Sequence, residues 1–202
     1  MNTDLGPIAT KPKTGEESFH ADATPLENCT LKDFWVWSVS DVVSNATRGR
    51  LAEFIVAKAL GIPTDRVRDE WGAFDLKTPK GIKIEVKSAA YLQSWNQRKL
   101  SPIIFSTRRT RYVDAMTNEM EKEAKRQADV CVFALLAHKD KATIDPLNVK
   151  QWEYYVLSTK ALEKHDKRSE VSITLNTLTS LKAGPVDYFG LAEKFKNATS
   201  ET

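Results

Sequence analysis

Apolar positions fall along this chain in three rhythms, and each predicts a different kind of element. Residues 130–137 form a continuous apolar run and 152–157 a second, a pattern that fits strands covered on both faces in a three-layer α/β arrangement. From 47 to 60 nearly every position after Arg50 is apolar, with Thr47 as a candidate N-cap and Gly61 and Pro63 as the stop. That combination predicts a helix. From 74 to 86 apolar and charged residues alternate across a turn, which predicts a hairpin with one oily face. Weaker signals predict strands at 102–106 and 171–175 and a closing helix at 188–197. A helix is also expected over 114–127, with Ala115, Met116, Met120 and Ala124 on its apolar side. Trp35 and Trp37 lie among valines in 31–44, which suggests a packed segment covering the core rather than a base-stacking platform. Residues 1–30 are polar, with Pro7, Pro12 and Pro25, and are expected as a mobile arm ahead of a single domain at 31–197. A structured N-terminal clasp is the alternative.

The hairpin register follows from the turn. Thr78-Pro79-Lys80-Gly81-Ile82 has proline where a type I turn wants a fixed φ and glycine where the chain must turn left-handed. Pairing Thr78 with Ile82 sets Asp75 opposite Glu85. Phe74, Leu76, Ile82, Ile84 and Val86 then share one face, while Asp75, Lys77, Lys83, Glu85 and Lys87 share the other. A two-residue turn would scramble both faces. Opposed residues have Cβ atoms about 4.5–5.5 Å apart, close enough for two carboxylates to share one cation. A solvated, salt-bridged surface is the ordinary alternative for such a face.

Glu53 adds a third acid. On a helix wheel it falls between Val56, Leu60 and Ala57, where a carboxylate is buried or half-buried. There it needs a cation, a hydrogen-bond donor or a shifted pKa, because an unpartnered buried charge costs several kcal/mol. It either pairs with Arg50 near the helix end or points with the hairpin acids at one site.

A helical glutamate, then Asp75, then Glu85-Val86-Lys87 resembles the PD-(D/E)xK nuclease superfamily, over about residues 47–158 and in that family's order of helix, hairpin, strand, helix, strand. Phe74 stands where the family has proline, a position without a chemical role. The resemblance implies a restriction-endonuclease-like fold, with a central mixed β-sheet flanked by helices. It also implies metal binding by Asp75, Glu85 and the Val86 carbonyl, with Lys87 positioning the attacking water and Glu53 supporting a metal or that water. Mg²⁺, for which Mn²⁺ can substitute, would neutralise phosphoryl oxygens and lower the pKa of water.

Composition narrows the setting. Of 202 residues, 41% are hydrophobic and 28% charged, ordinary for a soluble domain able to bury a core. No apolar run approaches the roughly 18–20 residues of a membrane span, and the start at Met1 lacks a signal-peptide core, so a cytoplasmic protein without membrane contact is expected. Cys131 sits in a strand pattern and reads as a buried thiol. His20, His138 and His165 are scattered singly with the two cysteines, against a zinc finger or a histidine-centred nuclease. The net charge of +3 requires any attraction to DNA to be local. Arg98, Lys99, Arg108, Arg109 and Arg111, interleaved with Trp95 and Tyr112, are the candidate phosphate contacts, with an exposed solvated loop as the alternative. Gln93 and Gln97 are weaker candidates for the same site.

These signals point to a metal-dependent endonuclease hydrolysing DNA, in restriction, defence or repair. Alternatives are a structure-specific nuclease such as a junction resolvase, which would act as a homodimer, or an inert DNA-binding module of the same fold.

Overall fold

In the computed structural model, which describes residues 5–114, 116–165 and 171–200, a four-stranded sheet forms the centre. Its strands are β3 (Leu76–Lys77), β4 (Lys83–Ala90), β6 (Val130–Leu136) and β7 (Trp152–Ser158), in that spatial order. β4 and β6 run parallel, whereas β3 with β4 and β6 with β7 are antiparallel, so the sheet is mixed. The apolar run read at 130–137 becomes β6, one of the two interior strands, and every residue of β6 is buried. This is an α/β fold.

Alternation along β4 separates two cores. Ile84, Val86 and Ala90 face helix α2 (Asn45–Ala59) and helix α5 (Leu191–Ser200), together with Val132, Trp152 and Tyr154. The opposite face packs Ala89, Cys131 and Phe133 against strands β5 (Ile104–Ser106) and β8 (Ser172–Thr174). Those two strands pair antiparallel with each other, and short helices α3 (Thr159–His165) and α4 (Leu175–Ser180) close the layer. One face is therefore covered by two long helices and the other by a small sheet with two short ones. Cys131 is buried as expected, and burial pushes its thiol up to about 12.

Several expectations are corrected. α2 starts at Asn45 rather than after Thr47, whose hydroxyl instead accepts from Ser44 Oγ at 3.1 Å. Its C-terminus stops as read: Gly61 takes φ +64° and Ile62 N donates back to Ala57 O at 2.9 Å. The helix expected over 114–127 is not formed among its described residues; Ala115 lies outside them. Bridges Thr110 to Lys125 and Val113 to Met120 make this stretch an extended excursion. Asp114 Oδ1 accepts from the amides of Met116 and Thr117, and Asn118 adopts φ +57°, so local turn chemistry overrides the apolar spacing. Met116 and Met120 are exposed.

Within the stretch read as a mobile arm, β1 (Ser18–Ala21) and β2 (Thr24–Thr30) form a hairpin. It leads into helix α1 (Leu31–Val39) through a capping box, in which Thr30 and Asp33 bond each other's amides. No residue of α1 is buried, and Trp37 is 83% exposed. Trp35 lies against the backbone at Gly15, not the main core, so the aromatic density of 31–44 does not mark core packing. No described helix is long and apolar enough to cross a membrane.

Candidate active site

The turn read from 78–82 forms with the expected register. Thr78 N donates to Ile82 O at 2.9 Å, Gly81 N donates to Thr78 O at 2.9 Å, and Gly81 adopts φ +90°. Leu76 opposes Ile84 and Lys77 opposes Lys83, and the same register continued one residue places Asp75 across from Glu85. The ladder ends at Leu76. Asp75 lies where β3 parts from β4, and its Oδ2 accepts from the Val86 amide at 2.7 Å. Its side chain is thus fixed at the edge of β4, between the face that carries Glu85 and the face on which α2 packs.

α2 lies against β4 and brings Glu53 to that edge. Glu53 is 9% exposed, as its place on the helix wheel requires. Its partner is Arg68, from the irregular segment between α2 and β3, which donates from Nε to Oε2 at 2.5 Å and from Nη2 to Oε1 at 2.9 Å. The same Nη2 stands 3.6 Å from Asp75 Oδ1, and Nη1 donates to Glu70 Oε2 at 2.8 Å. Arg50, the alternative partner, reaches Glu70 at 3.5 Å. Glu85 pairs with Lys87 on its own strand. Arg68 has no periodicity to betray it in the sequence. The available signal was the demand itself: a carboxylate on the apolar side of α2 needs a cation, and the following loop holds Arg66 and Arg68.

The acids strain against one another. Burial, reinforced by the nearby Asp75 charge, holds the Glu85 carboxyl above its ordinary range, with Lys87 opposing. Burial likewise raises Glu53, Asp75 and Glu70 adding to the rise while Arg68 opposes it. Burial alone would lower Lys87, but the charge and hydrogen bond of Glu85 outweigh it and hold the ammonium above its usual value. Arg68 is raised by its hydrogen bonds to Glu53. Glu53, Asp75 and Glu85 together carry one more charge than Arg68 and Lys87 neutralise, so the cluster favours a further positive group.

Residues 32–176 match the family described as bacteriophage T4 endonuclease IV, well over half the chain. The chain belongs to that family. Comparison with curated proteins and with solved structures returns no match. The matched span contains Glu53, Arg68, Asp75, Glu85 and Lys87 together with all five basic candidates, and it leaves out the N-terminal hairpin and α5.

For an endonuclease-family site, the donors are of the right kind for a hard divalent cation: three carboxylates and the Val86 carbonyl, all oxygen. Among the described residues, no group of three acidic, histidine or cysteine side chains stands at metal-holding spacing, because the carboxylates face Arg68 and Lys87. The basic candidates divide. Arg111 lines, with Arg68, Asp75 and Glu85, an open cleft of about 1160 Å³. Arg108 joins Glu85 and Lys87 around a niche of about 30 Å³. Arg98, Lys99 and Arg109 are exposed and line neither space. Gln93 and Gln97 bond each other instead, Gln97 Oε1 accepting from Gln93 N at 2.7 Å, and Gln93 also accepts from Arg48 at 3.3 Å. They brace the loop after β4.

Proposed function

We propose that this chain is a metal-dependent endonuclease that hydrolyses DNA phosphodiester bonds with a PD-(D/E)xK-type site, in restriction, defence or repair. The observation that carries this reading is Arg68 joining Glu53 to Asp75 beside the Glu85–Lys87 pair, with Arg68, Asp75 and Glu85 lining an open cleft. Membership of an endonuclease family supports the endonuclease part of this reading independently.

Asp75, Glu85 and the Val86 carbonyl, with Glu53 in support, would hold Mg²⁺ or Mn²⁺, which supplies charge neutralisation at the phosphoryl oxygens and lowers the pKa of water. Lys87, released from Glu85, would donate a hydrogen bond to the attacking water or to a phosphate oxygen. Its fully charged state suits that role. Arg111 on the cleft wall would contact a phosphate along the strand, where a guanidinium can bond two oxygens at once.

A plasmid-nicking assay tests the reading. Wild-type protein should convert supercoiled DNA in Mg²⁺ and leave it intact in EDTA, and Lys87→Ala should slow nicking at least about 10²-fold with metal affinity retained. Nicking that persists in EDTA, or in the Lys87 variant at the wild-type rate, would overturn it.

A further inference from the structure

Arg68 occupies the position at which the proposed site asks for positive charge, and it does so through the same oxygens. Both Glu53 oxygens already accept from its guanidinium, and Asp75 Oδ1 lies 3.6 Å from Nη2. A cation bound by Glu53 competes with these N–H bonds for the same two oxygens. A divalent ion shared by Asp75 and Glu53 would also stand within a few ångströms of the guanidinium, where like charges repel strongly in a partly desolvated site. The two cations are therefore alternatives. Arg68 also has space to turn into. It sits on a segment with neither helix nor strand between α2 and β3, its side chain is one-third exposed, and it lines both the open cleft and a neighbouring cavity of about 520 Å³ against α2. Glu70 holds it by the remaining nitrogen, so a released guanidinium stays tethered at the cleft.

We propose that Arg68 is the resident counter-cation of this site and exchanges with the divalent metal: metal entry displaces it from Glu53 and Asp75 and turns it to a phosphate in the cleft. The inference rests on the metal-dependent reading above. It adds a residue that stabilises the acids before loading and faces the substrate after it. A purely structural arginine would behave oppositely, since its removal would loosen the carboxylates and weaken metal binding.

Calorimetric titration of the full-length protein with Mn²⁺, without DNA, separates these. Arg68→Gln, which keeps amide donors but no charge, and Arg68→Ala should both bind Mn²⁺ more tightly than wild type, by about tenfold or more. Circular dichroism would show which variants are folded. At saturating Mn²⁺, Arg68→Gln should then cleave more slowly than wild type. Unchanged or weaker affinity in a folded variant overturns the exchange; tighter affinity with undiminished cleavage overturns the phosphate contact alone. Asp75→Asn distinguishes failure of the underlying reading. If wild type binds Mn²⁺ through Asp75 yet Arg68→Gln gains nothing, only the exchange falls. If neither wild type nor the Arg68 variants bind it, the metal-dependent reading falls as well.

Discussion

Helix α2 buries two charges of opposite sign, roughly one and a half turns apart, and the fold answers them by different chemistry. Arg48, 1% exposed, donates to neutral acceptors: Val43 O at 2.7 Å, Asn45 Oδ1 at 2.8 Å, Ser88 Oγ at 3.1 Å and Gln93 Oε1 at 3.3 Å. These tie the start of α2 to β4 and to the loop beyond it. Glu53 instead meets a charged, partly exposed partner in Arg68 and lies within the influence of other acids. A charge answered by fixed dipoles has one arrangement available to it. A charge answered by another ion can change partners when a third ion or a proton arrives. The Arg48 end of α2 is thus a pin, and the Glu53 end is the candidate site.

The comparison breaks first, and most strongly, on activity. Asp75→Asn and Glu85→Gln should lower Mg²⁺-dependent cleavage by roughly 10²–10³-fold or more while the protein stays folded. Glu85→Gln removes a charge that burial and the neighbouring Asp75 disfavour, so its melting temperature should hold or rise at neutral pH. A marked drop in melting temperature would make the acidic cluster part of the pin rather than the site.

Arg48 should show the reverse. Arg48→Met leaves four buried or half-buried acceptors without their donor, costing about 3 kcal/mol or more, and a melting temperature lower by roughly 6–12 °C follows for a chain of this length. Metal ions should leave the gap to wild type in place. Thermal unfolding with and without Mg²⁺ is the measurement, and a loss under about 1 kcal/mol would mean that Ser88, Gln93 and Asn45 find other partners.

What the sequence made legible follows the same division. The hairpin register was readable because proline, glycine and strict alternation all act within 74–86 and agree. Glu53's burial was readable because helical periodicity decides it. Arg68 was not, since its position depends on a loop folding back across α2, and no local pattern encodes that. The extended stretch at 110–125 was missed for a related reason. Ala115, Met116, Met120 and Ala124 imitate a helix face, while the competing signal is one Asp side chain bonding its own backbone. In α1, Trp35 and Trp37 announced packing without saying against what. Arg48 drew no notice because a basic residue near a helix start looks solvated until its acceptors, two of them about forty residues away, are assembled in space.

A pH series sharpens the contrast further. Glu53 and Glu85 have carboxyls raised in the fold, so the stability they contribute is fully present below the ordinary carboxylate range and is lost as pH rises through their elevated values. Wild type should therefore lose stability relative to Glu85→Gln as pH climbs from about 4 upward, by an amount that levels off once Glu85 is ionised. The corresponding difference between wild type and Arg48→Met should stay flat over the same range, because guanidinium does not titrate there. A pH-independent gap for Glu85→Gln would remove the repulsion from the account.

The smallest expected effect concerns the cleft wall. Arg111 shares a cleft with Asp75 and Glu85, and Arg108 a niche with Glu85 and Lys87, whereas Arg109 lines neither. Each arginine that meets a duplex phosphate releases condensed counterions, so its loss flattens the slope of log K against log salt by about 0.9. Replacing Arg108 and Arg111 by alanine should flatten that slope by about 1.8, twice the single-contact value, and should do so equally on unrelated DNA sequences. Arg109→Ala should leave it unchanged. Binding measured in Ca²⁺ at several salt concentrations gives the slopes. A three-contact change when Arg109 is replaced together with Arg108 and Arg111 would place Arg109 on the strand as well and extend the substrate path past the cleft, while an unchanged slope in the double variant would return both arginines to ordinary solvated surface.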